Sequence, residues 1–362
     1  GFGLECVGSC SPAKAVLRTI PHLQMGCVQA SCSKEFCDAY ESGELIGAGA
    51  FGKVFAARRL TPGGGPTSVA VKVLELPLSI NEREIRRCLL EVKEEIRIWK
   101  IASVHPSCVR LMQVFSSCER HIAVMERCTA SMADRLDVLQ VQEIPVLAQM
   151  FRAMLDPIVF LHSRSIVHRD VKPDNFLLTD ENSTKVKLCD FGLASEVPRS
   201  GRLLRGRFGT SAYMSPEMAY GNGHGLTTDV WSMGATVYLL LYGEYPYMPP
   251  ARSSQAMRAA IISDHPKPSF VRRGGRKPGP AADDFVSKLL HRNVFRCSAQ
   301  AAAKLPFLSA VRTAESCTAL CSMASATHKT QCAKSSVTTT PESEAASLEK
   351  VLQRSDQHSN MP

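Results

Sequence analysis

The run Ile166-Val-His-Arg-Asp-Val-Lys-Pro-Asp-Asn175 decides how this chain is read. It sets His168, Asp170, Lys172 and Asn175 within eight positions. Asp170 is a carboxylate suited to take a proton from an attacking hydroxyl. Lys172 is a cation suited to meet a transferring phosphoryl group, and Asn175 offers a carbonyl oxygen to a metal. Fifteen residues beyond Asn175 stands Asp190-Phe-Gly192, directly after the strand-like Val186-Lys-Leu-Cys189. A carboxylate at a strand end suits magnesium, which prefers one or two carboxylates plus phosphate oxygens.

Working upstream, Gly47-Ala-Gly-Ala-Phe-Gly52-Lys-Val54 follows the strand-like Glu44-Leu-Ile46. Three glycines let a backbone approach phosphate oxygens and present its amides. The same spacing marks dinucleotide-binding folds, where it opens a helix and an acidic residue follows about 20 positions on. Here Val54-Phe-Ala-Ala57 continues as a strand, and twenty residues past Gly52 comes Lys72, in Val69-Ala-Val-Lys72. A cation suits a triphosphate better than a ribose hydroxyl. Such a lysine needs an anchoring carboxylate. Apolar residues at Leu89, Val92, Ile96 and Trp99 predict a helix over 82–102, and it offers Glu91, Glu94 and Glu95. Glu95 shares the inward stripe of Val92 and Trp99, so we select it. The bland alternative is that all three carboxylates are solvated.

With these motifs in order, the chain resembles the eukaryotic protein kinases from about Tyr40 to Leu308. The likeness includes Ser215-Pro-Glu217 and Asp229-Val-Trp-Ser-Met-Gly234. It implies an α+β, two-lobed kinase fold, with a small β-rich N-lobe, a larger helical C-lobe and ATP in the cleft between them. Ile46, Gly47, Gly49, Gly52, Val54, Ala70 and Leu177 would line the nucleotide site. Met125 would be the gatekeeper, and the backbone of Glu126 and Cys128 would bond adenine. Lys72 would hold phosphates and pair with Glu95, while Asp190 and Asn175 would hold Mg2+. Asp170 would orient and deprotonate the substrate hydroxyl. Lys172, with Thr210 bridging it to Asp170, resembles the Ser/Thr-specific pattern. Asp229 would cap the catalytic-loop backbone and Glu217 would pair with Arg296. Trp99, Leu111, His168 and Phe191 fall where the family stacks its regulatory side chains. The features nearest to this chain are those of calcium- and calmodulin-dependent or calcium-dependent kinases. No D-x-[DN]-x-[DN]-G loop occurs in 309–362, so no direct calcium site is expected.

The rest of the chain fits around this block. It has 362 residues, 44% of them apolar, enough for a sizeable core. Its longest apolar run, Val230 to Leu241, is shorter than the ~20 residues of a membrane span. The net charge of +9 lies wholly in 41–308, because residues 1–40 and 309–362 are each neutral. Nucleic acid is therefore not an expected partner. Protein substrates with Ser or Thr, and ATP, are. The organisation expected is a weakly structured flank over 1–39 and a catalytic domain over 40–308. Its N-lobe would occupy about 40–125 and its C-lobe about 129–308, followed by a disordered low-complexity tail over 309–362. Thr61-Pro-Gly-Gly-Gly-Pro66 reads as a loop between strands. The 14 cysteines include no matched pair of C-x-x-C units, and no secretory signal is evident. They read as reduced thiols of a cytoplasmic protein.

Several features depart from the family pattern. Ser215 replaces the usual Ala and is expected to matter little. The segment His291–Phe295 is one residue short and lacks its proline, which is expected to weaken the Glu217–Arg296 pair. Arg169 usually accompanies a regulatory phosphate four residues before Thr210, where this chain has Gly206. Activity is expected not to need a phosphate there, with Ser195, Ser200 and Ser211 left as other candidate sites. Met25-Gly-Cys-Val-Gln-Ala-Ser-Cys32 looks like an acylation signal. Translation from Met25 would place a myristoyl group on Gly26 and palmitate on Cys27 or Cys32, giving peripheral membrane attachment. The basic loop 266–280, with Arg272, Arg273, Arg276 and Lys277, reads as solvated, with docking of acidic partners the alternative. Cys189 reads as a small buried apolar residue, with thiol reactivity the alternative. The rival to an active enzyme is a pseudokinase scaffold that binds nucleotide without transfer.

Overall fold

The computed structural model describes residues 34–49, 52–61, 65–75, 81–116, 120–180, 184–271, 278–292 and 295–309. The Gly26/Cys27 acylation motif, the four basic residues of 272–277, Ala50-Phe51 of the glycine loop and the 310–362 tail lie outside the described residues.

Five antiparallel strands form the first sheet: β1 (Tyr40–Gly49), β2 (Gly52–Arg59), β3 (Ser68–Glu75), β4 (Leu111–Ser116) and β5 (Arg120–Glu126), in the order β1-β2-β3-β5-β4. The two-residue period of a strand sorts their side chains. Val69, Val71 and Val73 of β3 join Ile122 and Val124 of β5 in a cluster on one face. Ala70 of β3 and Ala123 and Met125 of β5 face the other way, into the main core. The register Ala70↔Met125 and Lys72↔Ala123 therefore puts Lys72 on the inner face.

A short helix, α1 (Lys34–Ala39), lies on the outer face. Phe36 is buried there, stacked on Tyr40 at 5.6 Å and edge-on to Phe115 at 5.4 Å. Residues 34–39 were expected in the weakly structured flank; the ordered fold instead begins at least six residues earlier than the motifs indicate. The physical reason is that the outer valine face must be covered, and Phe36 covers it.

Helix α2 (Glu82–Ala102) packs beside this sheet, N-capped by the Asn81 side chain, which accepts from the Glu84 amide at 3.0 Å. The second half is helical: α3 (Leu136–Gln140), α4 (Ile144–Ser163), α5 (Pro216–Tyr220), α6 (Thr227–Tyr242), α7 (Ser254–Ser263), α8 (Pro280–Leu289) and α9 (Ala299–Ala302). Helix α4 is long and apolar enough to span a membrane, yet nine of its side chains are buried in this core. Helix α6 is buried on all sides from Thr228 to Tyr242, as a central core helix must be, its polar side chains Asp229, Ser232 and Thr236 being hydrogen-bonded. Gly234 lets α8 approach it, since a Cβ there would lie 2.8 Å from the Cβ of Leu289. Short strands β6 (Ala130–Ser131), β8 (Phe176–Leu178) and β9 (Val186–Leu188) form one ladder, and β7 (Ile166–Val167) pairs with β10 (Ser195–Glu196). These ladders fix the loops that carry Asp170 and Asp190.

Candidate active site

Lys72 is the centre of the first cluster. Its Nζ donates to Glu95 Oε1 at 2.6 Å and to Asp190 Oδ1 at 2.8 Å. The helical stripe read from the sequence selects the right carboxylate: Glu95 is buried, while Glu94 turns outward to Arg97 at 2.8 Å. Burial alone would push Lys72 down, but the Asp190 and Glu95 carboxylates hold it well above the usual lysine range. Burial acts to raise Asp190, and the Lys72 charge overcomes it and holds the carboxyl below its ordinary value. Lys72 and Asp190 are therefore both charged at neutral pH.

The second cluster is the loop after β7. Asp170 Oδ2 lies 3.0 Å from Lys172 Nζ, and Lys172 Nζ donates to Thr210 Oγ1 at 2.9 Å. The Thr210 amide donates to Asp170 Oδ1 at 3.2 Å, and its hydroxyl stands 3.5 Å from the same oxygen. Asn175 donates its amide nitrogen to Asp170 O at 2.7 Å and to Oδ2 at 3.2 Å, which leaves the amide oxygen as an acceptor. Thr210, Asp170, Lys172 and Asn175 are thus brought together as expected. Arg169 and Asp190 both have positive φ, 67° and 60°, a costly conformation for non-glycine residues. The buried Asp229 offsets the first: its oxygens accept from the His168 amide at 2.8 Å, the Arg169 amide at 2.9 Å and His162 Nε2 at 2.9 Å. Burial opposes ionisation of Asp229, and His162 with these amides holds its carboxyl below the usual range. His168 is oriented by the Asp170 amide on Nδ1 at 3.3 Å and by Cys189 O at 3.1 Å from Nε2, so Nε2 carries the donated proton.

Between these clusters lies the cleft floor. Ala70, Val54, Leu177, Met125 and Cys128 belong to or pack on the main core. Gly47 and Gly49 end β1 and Gly52 opens β2, paired as Gly47↔Val54 and Gly49↔Gly52, while Ile46 is exposed on β1. Gly52 has φ 122° and a Cβ there would lie 2.4 Å from Val73 O, so no side chain fits. The Glu126 amide is taken by Arg110 O at 3.1 Å, so its N–H is already engaged. Its carboxylate accepts from Lys187 at 2.8 Å and from the Arg110 amide at 2.6 Å. Burial pushes the Cys189 thiol far up and Cys128 up to about 11, so both are protonated and the apolar reading of Cys189 fits better than the reactive one.

The supporting residues contain the main surprises. Trp99 stacks near Phe191 at 6.2 Å, Phe191 meets His168 at 5.5 Å, and the Trp99 Nε1–H donates to Val109 O at 2.7 Å. The indole is accommodated because its one polar atom finds a backbone partner. Leu111 starts β4 beside them, partly buried against the core. Arg296 pairs with Glu217 through two bonds, 2.7 and 3.0 Å, and donates to His291 O and Thr227 O. The shortened 291–295 segment therefore does not weaken the pair as expected, because its own carbonyl at His291 holds the guanidinium. Ser215 does more than fill space: its hydroxyl caps α5 at the Met218 amide and bonds Thr228 Oγ1 at 2.6 Å. Sequence reasoning also missed Phe208, which lies against Arg169, and the buried His224 beside it.

The chain was compared with known proteins. A family model described as protein kinase domain matches residues 40–308. CBL-interacting serine/threonine-protein kinase 10 of Arabidopsis thaliana is 34% identical over 214 residues, covering 58% of this chain and 42% of that protein. CBL-interacting serine/threonine-protein kinase 21 of the same plant is 35% identical over 210 residues, 58% of this chain and 48% of its own length. CDPK-related kinase 7 is 31% identical over 267 residues, 72% of this chain and 44% of its own. The chain thus spans less than half the length of each of these relatives.

Proposed function

Because the chain belongs to the protein kinase family, whose two-lobed fold it adopts, we propose that it is an ATP-dependent serine/threonine kinase acting on protein hydroxyls. The observation that carries this reading is the convergence of buried Lys72 on Glu95 and Asp190 next to an Asp170–Lys172–Thr210 triad. In it, Lys72 binds the ATP phosphates, with Glu95 fixing its head group. The γ-phosphorus–oxygen bond to ADP breaks as the substrate oxygen bonds to phosphorus. The hydroxyl proton passes to Asp170, and Lys172 meets the charge on the transferring group. Thr210 holds Lys172 and Asp170 in one geometry, a pattern that resembles the Ser/Thr-specific members of the family, and the relatives named above are serine/threonine kinases; Ser and Thr hydroxyls are the acceptors in this reading.

The metal in this reading is Mg2+. Among the described residues no group of three His, Cys, Asp or Glu forms a closed cage. The Asp190 carboxylate and the Asn175 amide oxygen are hard oxygen donors of the kind magnesium takes together with phosphate oxygens, so the residues fit it. When bound, the ion neutralises phosphate charge. A non-catalytic scaffold would have no use for Asp170 and Lys172 held together by Thr210. The test is transfer from Mg-ATP to a Ser/Thr peptide library by wild type and Asp190→Ala side by side. Transfer by wild type alone supports the reading, and equal signal from both overturns it.

A further inference from the structure

Arg169 precedes the proton acceptor and is partly buried, yet among the described residues no carboxylate lies within ion-pair distance of its guanidinium. Its Nε donates to Leu193 O at 2.6 Å, and its guanidinium carbon sits 4.1 Å from the centre of the Phe208 ring. The other edge of Phe208 meets the His224 ring at 6.2 Å. Gly206 makes room for this ring: it has φ 104°, and a Cβ there would lie 2.6 Å from Phe208. The positive φ of residue 206 favours glycine, and the ring two positions on crowds the space a side chain would take.

The neighbours of Phe208 are clasped as well. Leu204 and His224 exchange backbone bonds of 3.0 and 2.9 Å. Arg207 donates to Ala219 O at 2.9 Å and Tyr220 O at 3.3 Å, the last carbonyls of α5. At the far end, Gly209 passes so close to the catalytic loop that a Cβ there would lie 2.5 Å from Arg169 O. Phe208 therefore lies midway between the outer clasp and Thr210, with its face on the residue next to Asp170.

We propose that Phe208 is a positioning residue that orders the activation segment by stacking on Arg169, in place of a phosphate that Gly206 does not accept. The inference rests on the kinase reading above but concerns how its site is held. Arginine carries a fixed charge that an aromatic face attracts. Burial lowers Arg169 to about 10, still cationic at neutral pH, with Asp229 opposing the shift. A partly desolvated pair of this kind is worth roughly five- to thirtyfold in the balance between seated and displaced segment.

The experiment compares Phe208→Leu with Phe208→Tyr in the full, unphosphorylated chain. Leucine keeps apolar bulk but has no ring face; tyrosine keeps the face. Hydrogen exchange is read over the segment holding the Leu204 and Thr210 amides, and peptide phosphorylation is read in parallel. The expected result is exchange up to roughly thirtyfold faster in Phe208→Leu, a raised peptide KM, an unchanged ATP KM and wild-type behaviour in Phe208→Tyr. Phosphatase treatment should leave wild type unchanged. Equal exchange in the two variants, or wild-type activity that requires phosphorylation by another kinase, overturns the proposal. Exchange needs no catalysis, so a wild type that fails to transfer phosphate would reject the kinase reading while the exchange data still judged the stack.

Discussion

Replacing Asp229 by Ala should cost this protein about 3–5 kcal/mol of stability. The carboxylate is fully buried and receives three bonds, from the His168 and Arg169 amides and from His162. Alanine leaves two buried N–H groups without acceptors, each worth about 1–3 kcal/mol. It also releases Arg169 from a left-handed conformation that itself costs about 1–3 kcal/mol. That second effect returns some energy to the variant but lets the loop relax, so Asp170 loses its position. Asp229→Asn keeps the shape and one acceptor, but its NH2 faces a donor, and about half the loss is expected. The assay is urea unfolding with the slope held against wild type, since only a shift in midpoint at constant slope reports stability. With total stability of about 5–15 kcal/mol, the alanine loss would be a large fraction. A change below about 1 kcal/mol would refute the reasoning that Asp229 holds the strained turn.

Two further outcomes follow from buried side chains. Phe36→Ala should destabilise by about 3–5 kcal/mol, as for other buried Phe truncations, and a chain cut to begin at Tyr40 should lose as much; thermal unfolding of both against a chain beginning at Lys34 checks this. His224 is buried, among the described residues neither of its ring nitrogens has a partner, and burial, aided by the Arg169 charge, pushes it down to about 4. Between that value and the ~6.5 of an unfolded histidine, only the unfolded chain binds the proton. Stability is thus present above about 6.5 and lost as pH falls towards 4, by on the order of 3 kcal/mol in full. His224→Phe should flatten that slope and be no less stable at pH 7.5; urea midpoints at pH 4.5 and 7.5 would show the same slope for both proteins if this were wrong.

Most of the catalytic machinery was legible because it is local or periodic. Asp170, Lys172 and Asn175 share one loop, and the helical period alone separates Glu95 from Glu94. The strands were legible for the same reason, and the alternation in Val69-Ala-Val-Lys72 already states which face Lys72 takes. What was not legible depends on contacts between distant segments. Nothing near Phe208 in sequence says that it will meet Arg169, 39 positions earlier. Phe36 lies before every motif of the catalytic domain, and only the uncovered valine face of the sheet explains its burial. The retained Glu217–Arg296 pair was misjudged because a backbone carbonyl, His291 O, does what the missing proline was expected to do. Ser215 looked like a neutral exchange for Ala because its hydroxyl partner, Thr228, is only visible once α5 and α6 meet.

The most direct measurement separates nucleotide binding from transfer. Asp170 bonds Lys172, Thr210 and the amide nitrogen of Asn175, and in the proposed reading it serves the substrate hydroxyl, whereas Lys72, Asp190 and the Asn175 amide oxygen serve the phosphates and the metal. Asp170→Asn should therefore bind Mg-ATP with the wild-type Kd while its transfer to a Ser/Thr peptide falls by at least about 100-fold. Wild-type transfer in Asp170→Asn, or no transfer by wild type on any Ser/Thr peptide, would contradict the account.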